Sequence, residues 1–445
     1  MNSTHMKVAF TTLGCRTNLH DTAEMQTLME QEGFSIVDTG EKADIYIINT
    51  CSVTQRSDHS SRQAVKKSLA INEKALVVFT GCYAQLAPEE AANINGLDIV
   101  LGNANKLDIA KVIKKTLNGN TPWKKTDAAE IVMSDIHRKR VFRAIPVSKF
   151  QGKTKAFIKV QTGCEEKCSF CTVVRARGKS TSDSRENILH NIRETIGAGF
   201  REITLTGINL GTYGMDMETP ETFSSLVRDI VRLEGDFRVR LSSINPMEID
   251  DDLLQLIAGH EKLCPHLHIP LQSGDDAILS GMRRNYNSRQ YLDTVHRALD
   301  KIACLGLGAD VIVGFPGETD ACFENTRKII EDLPFSYLHV FTYSPRRGTE
   351  AYDFKDNIPK AVKKERNRIL TDLAREKSLR FRKRFLNQTV TVLFENHRDP
   401  ATGDLRGYSE HYLAVTAKGG DRFKNRLVPV KITEVTEHRV SGCLL

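Results

Sequence analysis

Between residues 156 and 345 the chain repeats one unit six times: a short apolar, β-branched run, a polar turn, then a stretch with helical periodicity. The runs are AFIKVQTG (156–163), REITLTGIN (201–209), FRVRLSSIN (237–245), HLHIPLQSG (266–274), LGADVIVGFP (307–316) and SYLHVFTYSP (336–345). Between them lie SRENILHNIRETIGAG, PETFSSLVRDIVRLEG, IDDDLLQLIAGH, NSRQYLDTVHRALDKI and DACFENTRKIIEDL. Strands separated by helices of this length pair in parallel through right-handed crossovers. Six such units predict a partial β/α barrel, open on one side. In β/α barrels the reacting groups collect at the carboxyl ends of the strands. The loop after the first strand, TGIN, SSIN, LQSG, GFPGET and YSPRRG all fall there.

The first third predicts an open parallel sheet. KVAFTTLG (7–14), ADIYIINT (43–50), ALVVFTG (75–81) and LDIVLGN (97–103) read as strands, with helical patterns over 19–34 and 57–71. Each of the first three strands ends in a cysteine: LGC gives Cys15, NTC gives Cys51 and TGC gives Cys82. The carboxyl ends of parallel strands share one edge, so thiols separated by 36 and 31 positions can converge on one site. Thiolates suit an iron–sulfur cluster or zinc; three unrelated core thiols are the other reading. Residues 104–148, with TPWKKTD and HRKR, read as a helix and a crossing linker.

The loop QTGCEEKCSFCTVV places Cys164, Cys168 and Cys171 at gaps of four and three. A tetrahedral zinc or a closed cluster takes four protein ligands, so this set leaves one position open. A structural zinc would need Glu165 or Glu166 as a fourth ligand. The remaining cysteines, Cys264, Cys304, Cys322 and Cys443, read as small buried hydrophobes. Ten cysteines in 445 residues do not resemble the disulfide framework of a short secreted chain. No apolar run reaches 18 residues, and MNSTHMKVAF lacks a basic segment followed by an apolar one. The expected location is therefore the cytoplasm, with no membrane partner. Residues 1–5, ahead of Met6, carry no fold signal.

The net charge of +7 is uneven. From Lys355 to Leu445, 20 Lys and Arg face 11 Asp and Glu, so the rest of the chain is slightly acidic. PKAVKKERNRILTDLAREKSLRFRKRFLNQ (359–388) reads as a long basic helix. QTVTVLFENH, LRGYSEHYLAVTA, RLVPVKITEVT and HRVSGCLL follow as short strands punctuated by glycine. A basic segment beside a near-neutral body fits a polyanion such as nucleic acid, or a solvated helix face.

The three cysteines following the first barrel strand resemble the signature of radical S-adenosylmethionine enzymes. Combined with TLGCRTN, NTCSVT and TGCYAQ at the N-terminus and a small β domain at the C-terminus, the chain resembles the radical S-adenosylmethionine methylthiotransferases over nearly its whole length. TGCYAQLAPEE, TGINLGTYG and HLHIPLQSG resemble most the group acting on threonylcarbamoyladenosine 37 of tRNA; VVRARG (173–178) is less usual.

The resemblance implies an N-terminal cluster-binding α/β domain (6–120), a linker (121–147), a partial (β/α)6 barrel (148–380) and a small RNA-binding β-barrel of the TRAM type (381–445). It implies two 4Fe–4S clusters, on Cys15, Cys51 and Cys82 and on Cys164, Cys168 and Cys171. S-adenosylmethionine would be both radical source and methyl donor. Phe170, Thr206, Gly207, Asn209, Ser243, Val311, Gly314 and Glu318 are the expected cofactor contacts. Arg346, Arg347 and Gln272 are the candidates for the threonylcarbamoyl group. Arg406, Tyr408, Tyr412, Lys418, Arg422 and Lys424 are those for RNA. The implied partners are a tRNA anticodon stem-loop, an electron donor such as flavodoxin or ferredoxin, and an unspecified sulfur source. A monomer is expected, because the tRNA supplies the large interface. The neighbouring readings are methylthiolation of isopentenyladenosine 37 and a non-catalytic iron–sulfur RNA-binding protein.

Overall fold

The computed structural model describes residues 6–52, 54–119, 125, 128–138, 142–147, 150, 152 and 154–445. Most of TPWKKTD, the end of HRKR and residues 1–5 lie outside them. The chain packs as two units. The first comprises Met1–Gln151, Gln161–Glu166 and Cys171–Asn187, the second Gly152–Val160, Lys167–Phe170 and Ile188–Leu445.

The first unit is built on six parallel strands. In chain order its elements are β1 (Lys7–Thr12), α1 (Arg16–Gln31), β2 (Ser35–Val37), β3 (Ile45–Thr50), α2 (Gln55–Ile71), β4 (Leu76–Gly81), α3 (Cys82–Leu86), α4 (Pro88–Ala92), β5 (Ile99–Leu101), α5 (Ile109–Gly119) and β6 (Glu130–Val132). The sheet order is β2-β1-β3-β4-β5-β6. Alternate residues of β3 and β4 fill two cores. Ile45, Ile47, Leu76 and Val78 pack with Met25, Met29 and Ile113, while Ile48, Val77 and Phe79 pack with Val65, Leu97 and Val100. Both faces are covered, which is why these strands read as unbroken apolar runs. The sequence reading stopped at four strands. The edge strands β2 and β6 have three residues each, and β6 pairs with β5 from within the stretch read as a linker.

After β7 (Ala156–Lys159) the chain forms β8 (Gln161–Thr162), α6 (Val173–Arg177), β9 (Thr181–Ser182) and α7 (Arg185–Gly197). The second unit continues with β10 (Glu202–Thr206), α8 (Phe223–Val231), β11 (Arg238–Leu241), α9 (Asp251–Gly259), β12 (His266–His268), α10 (Asp276–Gly281), α11 (Ser288–Lys301), β13 (Gly306–Val313), α12 (Asp320–Asp332), β14 (Tyr337–Thr342) and α13 (Lys360–Lys383). β7, β10 and β11 form one parallel ladder and β12, β13 and β14 another. Single parallel bridges, Val239 to Leu263 and Ser243 to His268, join them into the expected six-stranded partial barrel. The residues facing the helices are apolar: Ile203, Leu205, Val239, Leu267, Leu307, Ala309 and Val311 belong to one core.

The opposite faces of these strands are polar. Tyr337 pairs with Gly308, where a Cβ would lie 2.1 Å from the tyrosine ring. Its hydroxyl meets His266 Nε2 at 3.0 Å and His268 Nδ1 at 3.1 Å. At the amino ends Glu202 is fully buried between Arg238 and Arg240, with Nε distances of 2.7 and 3.0 Å.

α13 leads into a closed barrel of β15 (Thr389–Arg398), β16 (Leu405–Ser409), β17 (Ala414–Ala417), β18 (Leu427–Val435) and β19 (Val440–Leu444), in the order β15-β16-β17-β19-β18. The remaining donors of the two arginines go to this barrel. Arg238 reaches the carbonyls of Thr391 (2.7 Å) and Tyr408 (2.8 Å). Arg240 reaches those of Glu410 (3.0 Å) and Ser409 (2.9 Å). The buried charge cluster thus fastens the C-terminal barrel to the strands of the partial barrel. Among the described residues no helix is long and apolar enough to cross a membrane.

Candidate functional site

In the first unit Cys51 and Cys82 directly follow β3 and β4, and Cys15 lies three residues beyond β1, the neighbouring parallel strand. Two glycines set the approach. Gly14 has φ +94°, and a Cβ there would stand 2.5 Å from Cys51 Cβ and 2.7 Å from its Sγ. Gly81 has φ +98°, and a Cβ there would stand 2.4 Å from the Thr50 carbonyl oxygen. Only glycine serves both demands, positive φ and close backbone approach. Asn18 straps the loops together: its Nδ2 donates to Leu13 O (2.8 Å) and Thr50 O (2.9 Å). Cys51 is buried, Cys82 half-buried and Cys15 exposed at the N-cap of α1.

Among the described residues only His268, Asp310 and His339 bring three ligand atoms within 4.8 Å of one another. Cys15, Cys51 and Cys82 therefore stand wider than a single zinc requires, since metal–sulfur bonds of ~2.3 Å would draw the thiolates to within about 4 Å. The soft donor set suits an iron–sulfur cluster.

Beside these cysteines lies a buried polar group that the sequence reading missed. Asp21 of α1 accepts from Lys106 Nζ at 2.7 Å and from Arg177 Nη2 at 3.0 Å. All three side chains are buried. Arg177 Nη2 also donates to Asn18 Oδ1 at 2.5 Å, and its Nε is buried without a partner. Burial opposes the Arg177 charge, but Asp21, Cys82 and Cys15 outweigh it. Burial pulls Lys106 below the usual lysine range despite Asp21.

The CxxxCxxC loop contributes to both units. In the first, Cys164 N–H donates to Gly178 O at 3.1 Å. Its Sγ accepts from Glu166 N–H, and that of Cys171 from Val173 N–H, both at 3.4 Å. In the second, Cys168 Sγ accepts from Arg284 Nη1 at 3.1 Å. Arg284 Nη2 donates to Asn245 Oδ1 at 2.6 Å, and Asn245 Nδ2 donates to Asn209 Oδ1 at 2.9 Å. Burial opposes the Arg284 charge, but Tyr286 and Cys168 favour it. Ser169 is pinned by Met282 O and Gly281 O.

The expected cofactor residues fall into distinct settings. Phe170 packs on the cluster of Ile278, Met282, Phe315, Tyr343 and Ala351. Thr206 and Asn209 are buried at the carboxyl end of β10, beside the half-buried Gly207; Ser243, beyond β11, is exposed. The Val311 side chain belongs to the apolar core, and its backbone lies between Gln272 and Val340 of β14. Gly314 has φ +72°, and its N–H donates to the Glu318 carboxylate. Glu318 is buried, its carboxyl pushed up by that burial, with Arg366 Nη1 at 3.5 Å. Its oxygens thus serve the turn and α13. Ser242 Oγ and Gln272 Oε1 are buried without partners, and Gln272 holds φ +61°. Arg346 is half-buried and Arg347 exposed beyond β14. His268 Nε2 and His339 Nδ1 both approach Asp310 Oδ1, at 3.2 and 3.0 Å.

On the C-terminal barrel, Arg406, Lys418 and Arg422 are exposed, and the half-buried Lys424 pairs with Asp421 at 3.0 Å. Tyr408 stacks on Tyr412 and lies under Lys155 Nζ, 3.9 Å from its ring centre. Tyr412, at φ +67°, packs against His266 and Tyr337. These two rings face the polar side of the partial barrel.

A partial β/α barrel bearing this cysteine loop defines a radical S-adenosylmethionine enzyme. The sequence matches the Radical SAM superfamily over residues 158–330 and Uncharacterized protein family UPF0004 over residues 7–102. The threonylcarbamoyladenosine tRNA methylthiotransferase MtaB of Aquifex aeolicus is 38% identical over 93% of this chain and 97% of its own length. The chain belongs to that methylthiotransferase family. A tRNA-2-methylthio-N(6)-dimethylallyladenosine synthase of Carboxydothermus hydrogenoformans is 31% identical over 98% of each chain. Among solved structures, the radical S-adenosylmethionine methyltransferase TsrM of Kitasatospora setae, with tryptophan and a SAM analogue bound, gives a TM-score of 0.56. Its identity is 14%, over 78% of this chain and 75% of that one, a likeness of fold.

Proposed function

We propose that the chain is a tRNA methylthiotransferase that replaces the C2 hydrogen of N6-threonylcarbamoyladenosine at position 37 with a methylthio group. The observation that carries the reading is the meeting of Cys15, Cys51 and Cys82 at one sheet edge, in a chain whose barrel already bears Cys164, Cys168 and Cys171. Each set offers three thiolates that would hold a 4Fe–4S cluster. S-adenosylmethionine held at the second set would supply radical chemistry able to take hydrogen from an unactivated C–H.

The chain's own groups would hold these cofactors. Arg284 donates to Cys168 and, through Asn245, fixes Asn209. Phe170, Thr206, Gly207, Ser243, Gly314 and the Val311 backbone would border the S-adenosylmethionine. Glu318 would act by shaping the Gly314 turn. The unpartnered Gln272 Oε1 and Ser242 Oγ offer hydrogen bonds to a polar substrate, with Arg346 and Arg347 at the rim. An anticodon loop suits the site, because base 37 is single-stranded and can be turned into a pocket. Arg406, Lys418 and Arg422 would contact its backbone. The first set of cysteines would hold the sulfur-bearing cluster, a second S-adenosylmethionine would give the methyl group, and a flavodoxin or ferredoxin the electrons. We take the working form to be a cytoplasmic monomer.

The test pairs two variants. Cys164→Ala should abolish 5′-deoxyadenosine formation. Cys51→Ala should keep it and lose methylthiolation of the tRNA; methylthiolation by Cys51→Ala would sink the assignment. Mass spectrometry of tRNA nucleosides from a deletion strain separates the threonylcarbamoyl substrate from the isopentenyl one.

A further inference from the structure

Three neighbouring parallel strands carry donor side chains on the polar face of the partial barrel: β12 reads H-x-H, β13 G-x-G-x-D and β14 Y-x-H. In register His268 lies opposite Gly308, and Asp310 opposite His339. Gly308 leaves space for the Tyr337 ring, whose hydroxyl meets His268 Nδ1 at 3.1 Å. That contact turns His268 Nε2 toward Asp310 Oδ1, 3.2 Å away, and His339 Nδ1 approaches the same oxygen at 3.0 Å. Two features go beyond a ladder of hydrogen bonds. Both imidazoles converge on one carboxylate oxygen instead of dividing the two. And Asp310, whose side chain is only 29% exposed, forms no ion pair with lysine or arginine among the described residues. Its partners are imidazoles, mostly neutral at pH 7, although buried carboxylates are ordinarily paired with a charge or bound to a metal. Metal bonds of about 2.1 Å meeting at roughly 90–109° hold ligand atoms about 3.0–3.4 Å apart. The two contacts to Asp310 have that spacing, and all three ligand atoms lie within 4.8 Å of one another. His339, 56% exposed, has room to close the set and leaves an ion a path in.

We propose that His268, Asp310 and His339 form a divalent metal site inside the partial barrel, for a borderline ion such as Zn²⁺, Fe²⁺ or Mn²⁺. Two imidazoles and one carboxylate suit these ions, whereas Mg²⁺ and Ca²⁺ take oxygen ligands. Tyr337 is the outer group: a metal-bound His268 donates its Nδ1–H to the tyrosine oxygen, which fixes the ring. Three protein ligands leave positions for water or an anionic oxygen donor, as open zinc sites do. Ser243, an expected S-adenosylmethionine contact, is bridged to His268, so the ion stands one strand away from it. The site does not depend on whether Cys15, Cys51 and Cys82 hold a cluster.

The experiment uses the full chain, reconstituted anaerobically with iron and sulfide and then desalted to remove loose metal. Mn²⁺ is titrated against it, and free Mn²⁺ is read from its room-temperature electron paramagnetic resonance signal. The wild type should bind about one Mn²⁺ per chain, released by Zn²⁺, which such donors hold more tightly, and not by Mg²⁺. Asp310→Asn and His339→Ala should each weaken Mn²⁺ by more than about 100-fold, and Tyr337→Phe by the about 10–100-fold that an outer group is worth, with circular dichroism and iron content unchanged. A wild type that takes neither Mn²⁺ nor Zn²⁺ would overturn the site and leave a ladder of hydrogen bonds. Wild-type affinity in both Asp310→Asn and His339→Ala would put the ion elsewhere and overturn it too. Should one of these variants lose its fold, the other carries the test. Wild-type affinity in Tyr337→Phe would overturn the role of the tyrosine.

Discussion

Replacing Glu202 with glutamine tests the idea that a buried charge cluster fastens the C-terminal barrel to the partial barrel. The carboxylate is fully buried and accepts from Arg238 Nε at 2.7 Å, Arg240 Nε at 3.0 Å and Arg240 Nη2 at 3.2 Å, with Lys155 Nζ at 4.0 Å. Glutamine keeps the shape but removes the carboxylate charge paired with both buried guanidiniums, and turns an amide N–H₂ toward donors. Breaking one side of a buried ion network costs about 3–5 kcal/mol. At roughly 2–4 °C per kcal/mol for a body of this size, the transition of the second unit should fall by on the order of 10 °C. Scanning calorimetry of the cofactor-free chain under anaerobic conditions reads the shift, and limited proteolysis near Asn387 reads the loosened junction. The pH dependence has a fixed sign. Burial would lift the Glu202 carboxyl, but Arg240 and Arg238 hold it well below the usual carboxylate range. Its stabilisation is therefore complete above the ordinary glutamate pKa and lost as pH falls through the folded one. The gap between wild type and variant should stay constant from about pH 8 to about pH 5 and narrow only in stronger acid. A fall of less than about 3 °C at neutral pH would mean that the arginines are hydrated, and would refute the argument.

Arg284→Met removes the N–H donor to Cys168. It should retain iron while slowing 5′-deoxyadenosine formation by about 10–100-fold, with partial recovery in Arg284→Lys. Gly14→Ala forces a Cβ to 2.5 Å from Cys51 Cβ at a positive φ, so reconstituted iron should drop from about eight to about four per chain. Lys418→Ala with Arg422→Ala should leave the melting temperature alone and weaken tRNA binding. The salt dependence should fall by about one unit of slope per lost phosphate contact, as measured by filter binding across a salt series.

Much of the cysteine geometry was legible because it is written locally. Each N-terminal cysteine of this set follows an apolar strand ending in a threonine or glycine, so the strand phase alone places Cys15, Cys51 and Cys82 on one edge. The groups behind them were not legible. Arg177 and Arg284 sit in polar, basic stretches, VVRARGKS and MRRNYN, that read like solvated surface; their burial comes from neighbours distant in sequence. One signal was available and passed over: FRVRL alternates arginine with apolar residues inside a parallel strand. A strand covered by helices has no solvent face to offer a charge, so Arg238 and Arg240 had to point at another buried group. Tyr408 and Tyr412 looked like RNA-facing aromatics, yet stack on each other and on Lys155 and Tyr337, which only the docking of the C-terminal barrel determines. The three-residue strands β2 and β6 are too short to carry a period.

The placement of the first three cysteines also says where this gene can tolerate change. Each cysteine is locked in phase to its own strand, one residue beyond β3 and β4 and three beyond β1, and none is spaced against the others along the chain. Residues added to the connection after α1, around Lys42, or after α2, around Glu73, leave every cysteine at its strand end. A single residue inserted within LGC, NTC or TGC swings one cysteine off the edge. Related sequences should therefore vary freely in the intervals of 36 and 31 positions and hardly at all in those three tripeptides.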